Sequence, residues 1–555
     1  MSVPHSSSTE DHEPLIPNDY DEYSRASGQQ EVSGFGNAFI WTLTLSACVS
    51  ALLFGYDTGV ISSTLVSIGT SLSQRNLTNL DKGLITSSTS AFALIASPIA
   101  GVLADRIGRK NIIILADVLF VLGAICQAWT TSIAGMIAGR SIVGLAIGAA
   151  SLITPLYISE LAPSGLRGRL VTVSVLYITL GQVVAYVVGW LFSGIERVGW
   201  RWMVGLGAIP AAAQIAMLIF MPESPRMLCK RGRQAEARAV IVKVHNGVVP
   251  DAGGTAEDIV KAIDKEINEE YESRIALTKG RPAGSTRMVL PPTLSSLMFH
   301  PPHRRALTIT CMLQGLQQLC GFNSLMYFSA TIFQLLGFTS PTLTSLSIAG
   351  TNFLFTVGAF YLIDRIGRRR ILLFTIPVMV LALLLCAGSF TFLDLPTTDP
   401  SSSGSALSSS TSRSAALAIL ASLMLYVAGY ASGLGVVPWQ QSELFPLSVR
   451  SVGSSLATAT NWGSNTIVGL TFLPMMQWLG SGWTFVIYAA VCGVGWLLVW
   501  RIYPETMGLG LEEVGGLLSD DWGVKSTREG GEGSAGGNDG EEHSRRSSQP
   551  ARCQT

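Results

Sequence analysis

The sequence predicts an all-α membrane protein with twelve transmembrane helices in two six-helix bundles. Three observations predict it. Of 555 residues, 48% are hydrophobic and only 13% charged, where soluble domains carry about 25%. Twelve apolar stretches approach the ~20 residues that a helix needs to cross a bilayer. Charged motifs that follow given stretches in the first half recur in register in the second. Mean hydropathy is +0.41. With 37 acids and 37 bases the net charge is zero, so bulk charge points to no nucleic-acid partner. The chain is expected as a monomer in a lipid bilayer.

A polar, acidic, Ser-rich tail over 1–36 opens the chain. It lacks the apolar segment of a cleavable signal peptide. A first bundle over 37–222 holds spans near 37–66, 83–104, 111–131, 133–158, 170–194 and 202–221. A charged linker, 223–304, contains two stretches, 234–238 and 263–270, that read as short polar helices. A second bundle over 305–504 holds spans near 305–336, 342–363, 370–393, 415–438, 450–477 and 483–503. Between spans 9 and 10, residues 396–414 are almost entirely Ser, Thr, Pro and Gly, which reads as a solvent loop. The tail 505–555 is Gly-, Ser- and Glu-rich after Trp522 and reads as disordered. Six of the eight cysteines lie in apolar runs, where they act as small packing residues rather than a disulfide framework.

Lys/Arg bias sets the orientation. Arg106, Arg109 and Lys110 follow span 2, Arg167 and Arg169 follow span 4, and Arg365, Arg368, Arg369 and Arg370 follow span 8. The opposite loops are poorer in bases, so both termini and the linker face the cytosol. Asn76-Leu77-Thr78 is then a glycosylation sequon on the outer side. The plasma membrane is the expected location. Asp11-His12-Glu13-Pro14-Leu15-Ile16 fits an acidic dileucine sorting pattern, which keeps a vacuolar or endosomal membrane as the alternative.

Asp105-Arg106-Ile107-Gly108-Arg109 recurs as Asp364-Arg365-Ile366-Gly367-Arg368. Glu160 and Arg167 recur as Glu443 and Arg450, and Pro222-Glu223-Ser224-Pro225-Arg226 has an echo in Pro504-Glu505-Thr506. Two similarly oriented six-span halves with a site between them is a transporter plan. The expected role of these charges is a cytosolic latch, in which carboxylates of one segment hold Arg of another. Exposed pairs are worth at most about 1 kcal/mol each, which suits a gate that must reopen.

Asp57 lies within the first apolar stretch, and Arg140 within the fourth. A carboxylate at such depth costs roughly 2.5–3.5 kcal/mol to insert. A partner cation, or a proton carried in turn, justifies keeping it. Burial favours the neutral acid and a neighbouring Arg the carboxylate, so the pair suits a group that binds and releases H⁺.

Pro222-Glu223-Ser224-Pro225-Arg226, Pro504-Glu505-Thr506 and Gln317-Gln318-Leu319-Cys320-Gly321-Phe322-Asn323 resemble the sugar porters of the major facilitator superfamily. The resemblance covers about 34 to 515. Segments 176–182, 323–329 and 438–446 are more closely similar to the fungal myo-inositol transporter family. The resemblance implies the major facilitator fold and proton-coupled uptake of myo-inositol by alternating access. It further implies that Gln317, Gln318, Asn323, Asn352 and Asn461 bind hydroxyls, with Gln182 as a further candidate, and that Trp439 stacks beneath the ring. Asp57 and Arg140 would be the proton site. Where hexose members often place an amide in span 5, this chain has Val175.

The residues agree with such a substrate. Polyol hydroxyls both donate and accept, as neutral amides do. At 100° per residue, Gln317, Asn323 and Tyr327 share a 120° face of span 7. Gln318 falls outside it, so a break at Gly315 or Gly321 is expected. Neither a phosphate-cradling Walker A run, a zinc-type Cys/His cluster nor a Gly-x-Ser-x-Gly elbow occurs. The chain is therefore expected to be no enzyme, with neither cofactor nor metal. Two alternatives are an uncoupled hexose or pentose facilitator and a sugar sensor that does not transport.

Overall fold

Inside a bilayer every backbone N–H and C=O must find its partner within the protein, and this chain meets that demand with helices. The structure is a computed structural model. It describes residues 37–163, 166–195, 197–246, 252–279, 292–392, 410–445, 449–507, 517–518, 521–522 and 524. The N-terminal tail with its sorting pattern, most of the Ser-rich segment and most of the C-terminal tail lie outside them.

In the first half, spans 1 to 5 are Ala38–Ser67, Asn79–Ile107, Arg109–Trp129, Ile133–Leu161 and Arg167–Ser193. Span 6 is two pieces, Gly199–Gly205 and Ala208–Ile219. In the second half, span 7 is Pro301–Leu319 followed by Phe322–Leu335, and spans 8 and 9 are Pro341–Ile366 and Arg368–Thr391. Span 10 is Ser410–Ser432, continued by a 3₁₀ turn over Val437–Leu444, and spans 11 and 12 are Arg450–Trp478 and Ser481–Ile502. The helix beginning at Ser410 corrects the expected loop: its last residues already belong to span 10. Ten of these spans are singly long and apolar enough to cross a membrane. The other two, 7 and 11, carry most of the amides expected to meet substrate. Spans 2 and 11, and spans 5 and 8, pack across the boundary between the halves.

Close approach inside the first half depends on small residues, as is usual where lipid offers no hydrophobic drive between helices. A Cβ at Gly144 or Gly148 would run into the backbone of Thr89 or Ala93 on span 2. Gly55 and Gly181 bring spans 1 and 5 together in the same way.

Two acids of the internal repeat cap helices within their own halves. Glu223 Oε1 accepts from the backbone N–H of Arg109 and Lys110 at 3.0 and 3.2 Å. Glu505 accepts from the N–H of Arg368 and Arg369 at 2.9 and 3.1 Å. Each carboxylate, from the segment that closes its half, satisfies the orphan donors at the start of span 3 or span 9. Gly108 and Gly367 sit at φ 100° and 96°. A side chain there would strike the capping carboxylate, with Cδ of Glu223 and of Glu505 each 2.9 Å from the added carbon.

The linker is more helical than the expected short segments. It forms Pro225–Lys230, Gln234–His245, a 28-residue helix Ala252–Lys279, and Pro292–Phe299. Its apolar face, with Ala237, Ile241, Val244 and Ala256, joins one core with Tyr157, Leu161 and Leu218 of the first half.

Candidate substrate and proton site

Span 7 breaks at Gly321, which adopts φ 90°. The helix runs unbroken through Gly315, so Gly321 alone provides the expected interruption. A Cβ on Gly321 would sit 2.7 Å from the Tyr488 ring. Across the break, the Asn323 amide of the second piece reaches Gln318 of the first, whose amides face span 11. Asn461 Nδ2 donates to Gln317 Oε1 at 2.8 Å and to Gln314 Oε1 at 2.6 Å. Gln318 Nε2 donates to Asn461 Oδ1 at 3.0 Å, and Asn323 Nδ2 to Gln318 Oε1 at 2.5 Å. Gln317 also reaches the Leu434 carbonyl at 2.9 Å, in the turn that precedes Trp439. Gln317, Gln318, Asn323 and Asn461 therefore form one neutral network.

Gln182 and Asn352 form a second pair, with Asn352 Nδ2 donating to Gln182 Oε1 at 2.7 Å. This bond joins span 5 of the first half to span 8 of the second. Sequence reasoning missed Gln314 and Asn465. Gln314 lies one turn before Gln317 and also holds the Pro438 carbonyl at 2.9 Å. Asn465, one turn after Asn461, exchanges hydrogen bonds with the Tyr327 hydroxyl. Helical spacing from residues already chosen was the available signal. Tyr430 stacks on Phe322 with centroids 3.7 Å apart, which is packing.

Asp57 and Arg140 meet as expected. Arg140 Nη1 donates to Asp57 Oδ1 at 2.5 Å, and Arg140 Nε donates to the Ile85 carbonyl at 3.3 Å. The side chains are 8% and 1% exposed, so the pair is almost wholly removed from solvent.

A cavity lies in the half of the molecule nearer the Arg-rich face. Ser50, Thr154, Ser174 and Val175 of the first half line it, with Trp439 of the second. On the other side of the middle, side-chain bonds tie the halves together. Ser62 and Ser329 are 3.1 Å apart, and Tyr186 donates to the Met326 carbonyl at 2.5 Å. Thr466 reaches Ser90 at 3.1 Å and Asn79 reaches Gln477 at 3.1 Å. The structure thus holds one face sealed and a cavity toward the Arg-rich face.

The remaining motif charges are placed as follows. Arg109 Nη2 pairs with Asp105 at 3.1 Å and Glu160 at 3.0 Å, both within the first half. Glu160 thus holds an Arg of another segment, and Arg167 is exposed at the start of span 5. Arg226 pairs with Glu266 of the linker at 3.4 Å. Arg368 donates to the Thr506 carbonyl at 3.1 Å, and Arg450 to the Phe445 carbonyl at 3.3 Å. The side chains of Asp364 and Glu443 lie outside the described residues. Asn76 is exposed in the turn between spans 1 and 2. Among the described residues no group of His, Cys, Asp and Glu is arranged to hold a metal.

Comparison with known proteins agrees with this geometry. The family model "Sugar (and other) transporter" matches residues 43–518. Myo-inositol transporter 1 of Cryptococcus neoformans is 45% identical over 88% of this chain and 83% of its own length. The xylose transporter XylE from E. coli, solved in a partially occluded inward-open conformation, superposes with a TM-score of 0.68 at 26% identity, covering 85% of this chain and all of XylE. XylE described as a major facilitator superfamily proton:xylose symporter, bound to 6-bromo-6-deoxy-D-glucose, gives 0.69 at 27% identity over 87% and 100%. With twelve spans in two halves, a neutral amide network in the second half, an amide pair across the boundary and a family match over most of its length, the chain belongs to the sugar transporter family of the major facilitator superfamily, and it is no enzyme.

Proposed function

We propose that the protein takes up myo-inositol together with a proton, by alternating access between its two halves. The observation that carries the coupling is the sequestered Asp57–Arg140 pair. In a state whose cavity faces the Arg-rich side, the short charge-assisted bond matches an ionised Asp57 that has given up its proton. Protonation from the outer side frees Arg140 and favours the outward, substrate-binding state. Release to the cytosol restores the pair and resets the carrier.

Substrate meets Gln317, Gln318, Asn323 and Asn461, with Asn352 and Gln182 from the facing helices and Trp439 against ring C–H groups. Each amide bond within the network can be exchanged for one to a hydroxyl. The 45% identity to a protein named as a myo-inositol transporter supports this substrate. So does Val175, apolar and buried at the cavity wall. The Arg-rich face is cytosolic, Asn76 carries a glycan outside, and the membrane is the plasma membrane. The test is uptake of labelled myo-inositol, xylose and glucose into cells lacking their own carriers, with external pH varied. Acid-stimulated myo-inositol uptake that excess glucose competes for poorly is expected. Equal competition by glucose overturns the substrate, and pH-independent uptake overturns the coupling.

A further inference from the structure

Span 3 holds a second intramembrane carboxylate, Asp117, 2% exposed and separate from the substrate and proton sites. Its Oδ2 has no hydrogen-bond partner. It is absent from the cavity wall. Span 3 packs against spans 4, 6 and 2, and the charged groups of those elements are engaged elsewhere or stand at the helix ends. On span 4, Arg140 is given to Asp57 and Glu160 to Arg109. On span 6, Arg201 donates to the Ala128 and Thr130 carbonyls at 2.7 and 2.8 Å. On span 2, Asp81 pairs with Arg75 and Asp105 with Arg109, while Lys82 and Arg106 stand near its two ends. On span 3 itself, Lys110 donates to the Ile219 and Met221 carbonyls at 2.9 and 2.8 Å. An ionised Asp117 would be a bare charge in the bilayer interior, which is expensive.

One acceptor on the facing helix has the matching deficit. Gln214 is fully buried, and its Oε1 also lacks a partner. Its Nε2 is spent on span 1, donating to the Ser46 carbonyl at 2.9 Å and to Ser50 Oγ at 2.8 Å. Spans 3 and 6 run antiparallel, and their register puts the two groups level. Lys110 reaches Ile219, and a Cβ on Gly207 would lie 3.1 Å from the Phe120 ring. Between those two levels, Ala116 and Phe120 share a core with Ala211, and Ile112 and Ile113 share one with Leu218. Asp117 falls between 113 and 120, Gln214 between 211 and 218. A protonated Asp117 at this level would supply the hydrogen that both oxygens lack.

We infer that Asp117 is a second proton-binding site, a neutral carboxylic acid that keeps its proton through the transport cycle and donates it to Gln214 Oε1, bracing spans 3 and 6 against span 1. It is independent of the Asp57 reading. The test is infrared spectroscopy of the purified full-length chain in lipid at neutral pH. A protonated-acid carbonyl band is expected, shifted by isotopic labelling of aspartate, retained in D57N and lost in D117N. Gln214→Met, which removes the acceptor, moves the band to higher frequency. A wild-type spectrum with no aspartic-acid band overturns the inference, as does a band that persists in D117N or disappears in D57N. Should D117N fail to accumulate, the label and the Gln214→Met shift decide, and an unshifted band in both overturns it.

Discussion

Replacing Tyr186 by Phe tests whether the bonds that seal one face set the balance between carrier states. Tyr186 is fully buried on span 5. Its hydroxyl donates to the Met326 carbonyl at 2.5 Å and lies 2.9 Å from Ser329 Oγ on the second piece of span 7. Both partners belong to the other half, so both bonds must break when that face opens. Water then replaces them in the open state, whereas Phe removes them only from the closed one. Ser329 keeps its contact with Ser62, which limits the loss. A neutral hydrogen bond contributes about 0.5–1.5 kcal/mol net, so two give about 1–2 kcal/mol. That is roughly a 5- to 30-fold shift toward the outward-open state. Spin labels at exposed Gln74 and Thr339, in the turns after spans 1 and 7, read the shift as a growing long-distance population in pulsed electron resonance. An unchanged distance distribution in a folded Tyr186→Phe protein refutes the reasoning.

Further predictions concern the helix caps, the amides and the break. Glu223→Gln keeps an acceptor but loses the charge at the start of span 3, and removes about 1 kcal/mol of stability. A thermal melt in detergent reads this, and Glu505→Gln should do the same for the second half. Gln318→Ala leaves the Asn323 amide and a substrate hydroxyl unpaired. Myo-inositol binding should weaken by about 1–3 kcal/mol, or roughly 5- to 150-fold, as calorimetry on purified protein can show. Gly321→Ala puts a Cβ against Tyr488 at a left-handed position. It should abolish uptake more than it lowers surface expression, since it moves the break that aims the amides. Normal uptake would show that the break is dispensable.

What was legible in the sequence follows from which interactions are local. Span positions were readable because apolar length is a property of one segment, and the observed helices begin and end within a few residues of expectation. Thr78 shows why the ends differ: it forms a capping box with Asp81 that starts span 2 earlier than hydropathy suggests. Asp57 and Arg140 were readable as partners because each is costly alone. The roles of Glu223 and Glu505 were not. Charge pattern suggests a guanidinium partner, whereas the carboxylates take backbone N–H groups more than a hundred residues away, a choice fixed by Gly108 and Gly367. Asp117 carried the same signal as Asp57, an acid in an apolar run, but its candidate partner is a neutral amide on span 6. No charge pattern reveals that pairing. The linker's long helix was underestimated because a helix docked on another domain needs only a narrow apolar face.

The central claim is that a proton moving through Asp57 drives accumulation. Its most direct measurement uses the purified chain in sealed vesicles, with labelled myo-inositol at equal concentration on both sides and an inward proton gradient imposed across the membrane. The account predicts transient accumulation above equilibrium in the wild type. Asp57→Asn should still exchange labelled for unlabelled substrate but accumulate none. Accumulation by Asp57→Asn with wild-type pH dependence, or none by a wild-type protein that exchanges normally, would contradict it.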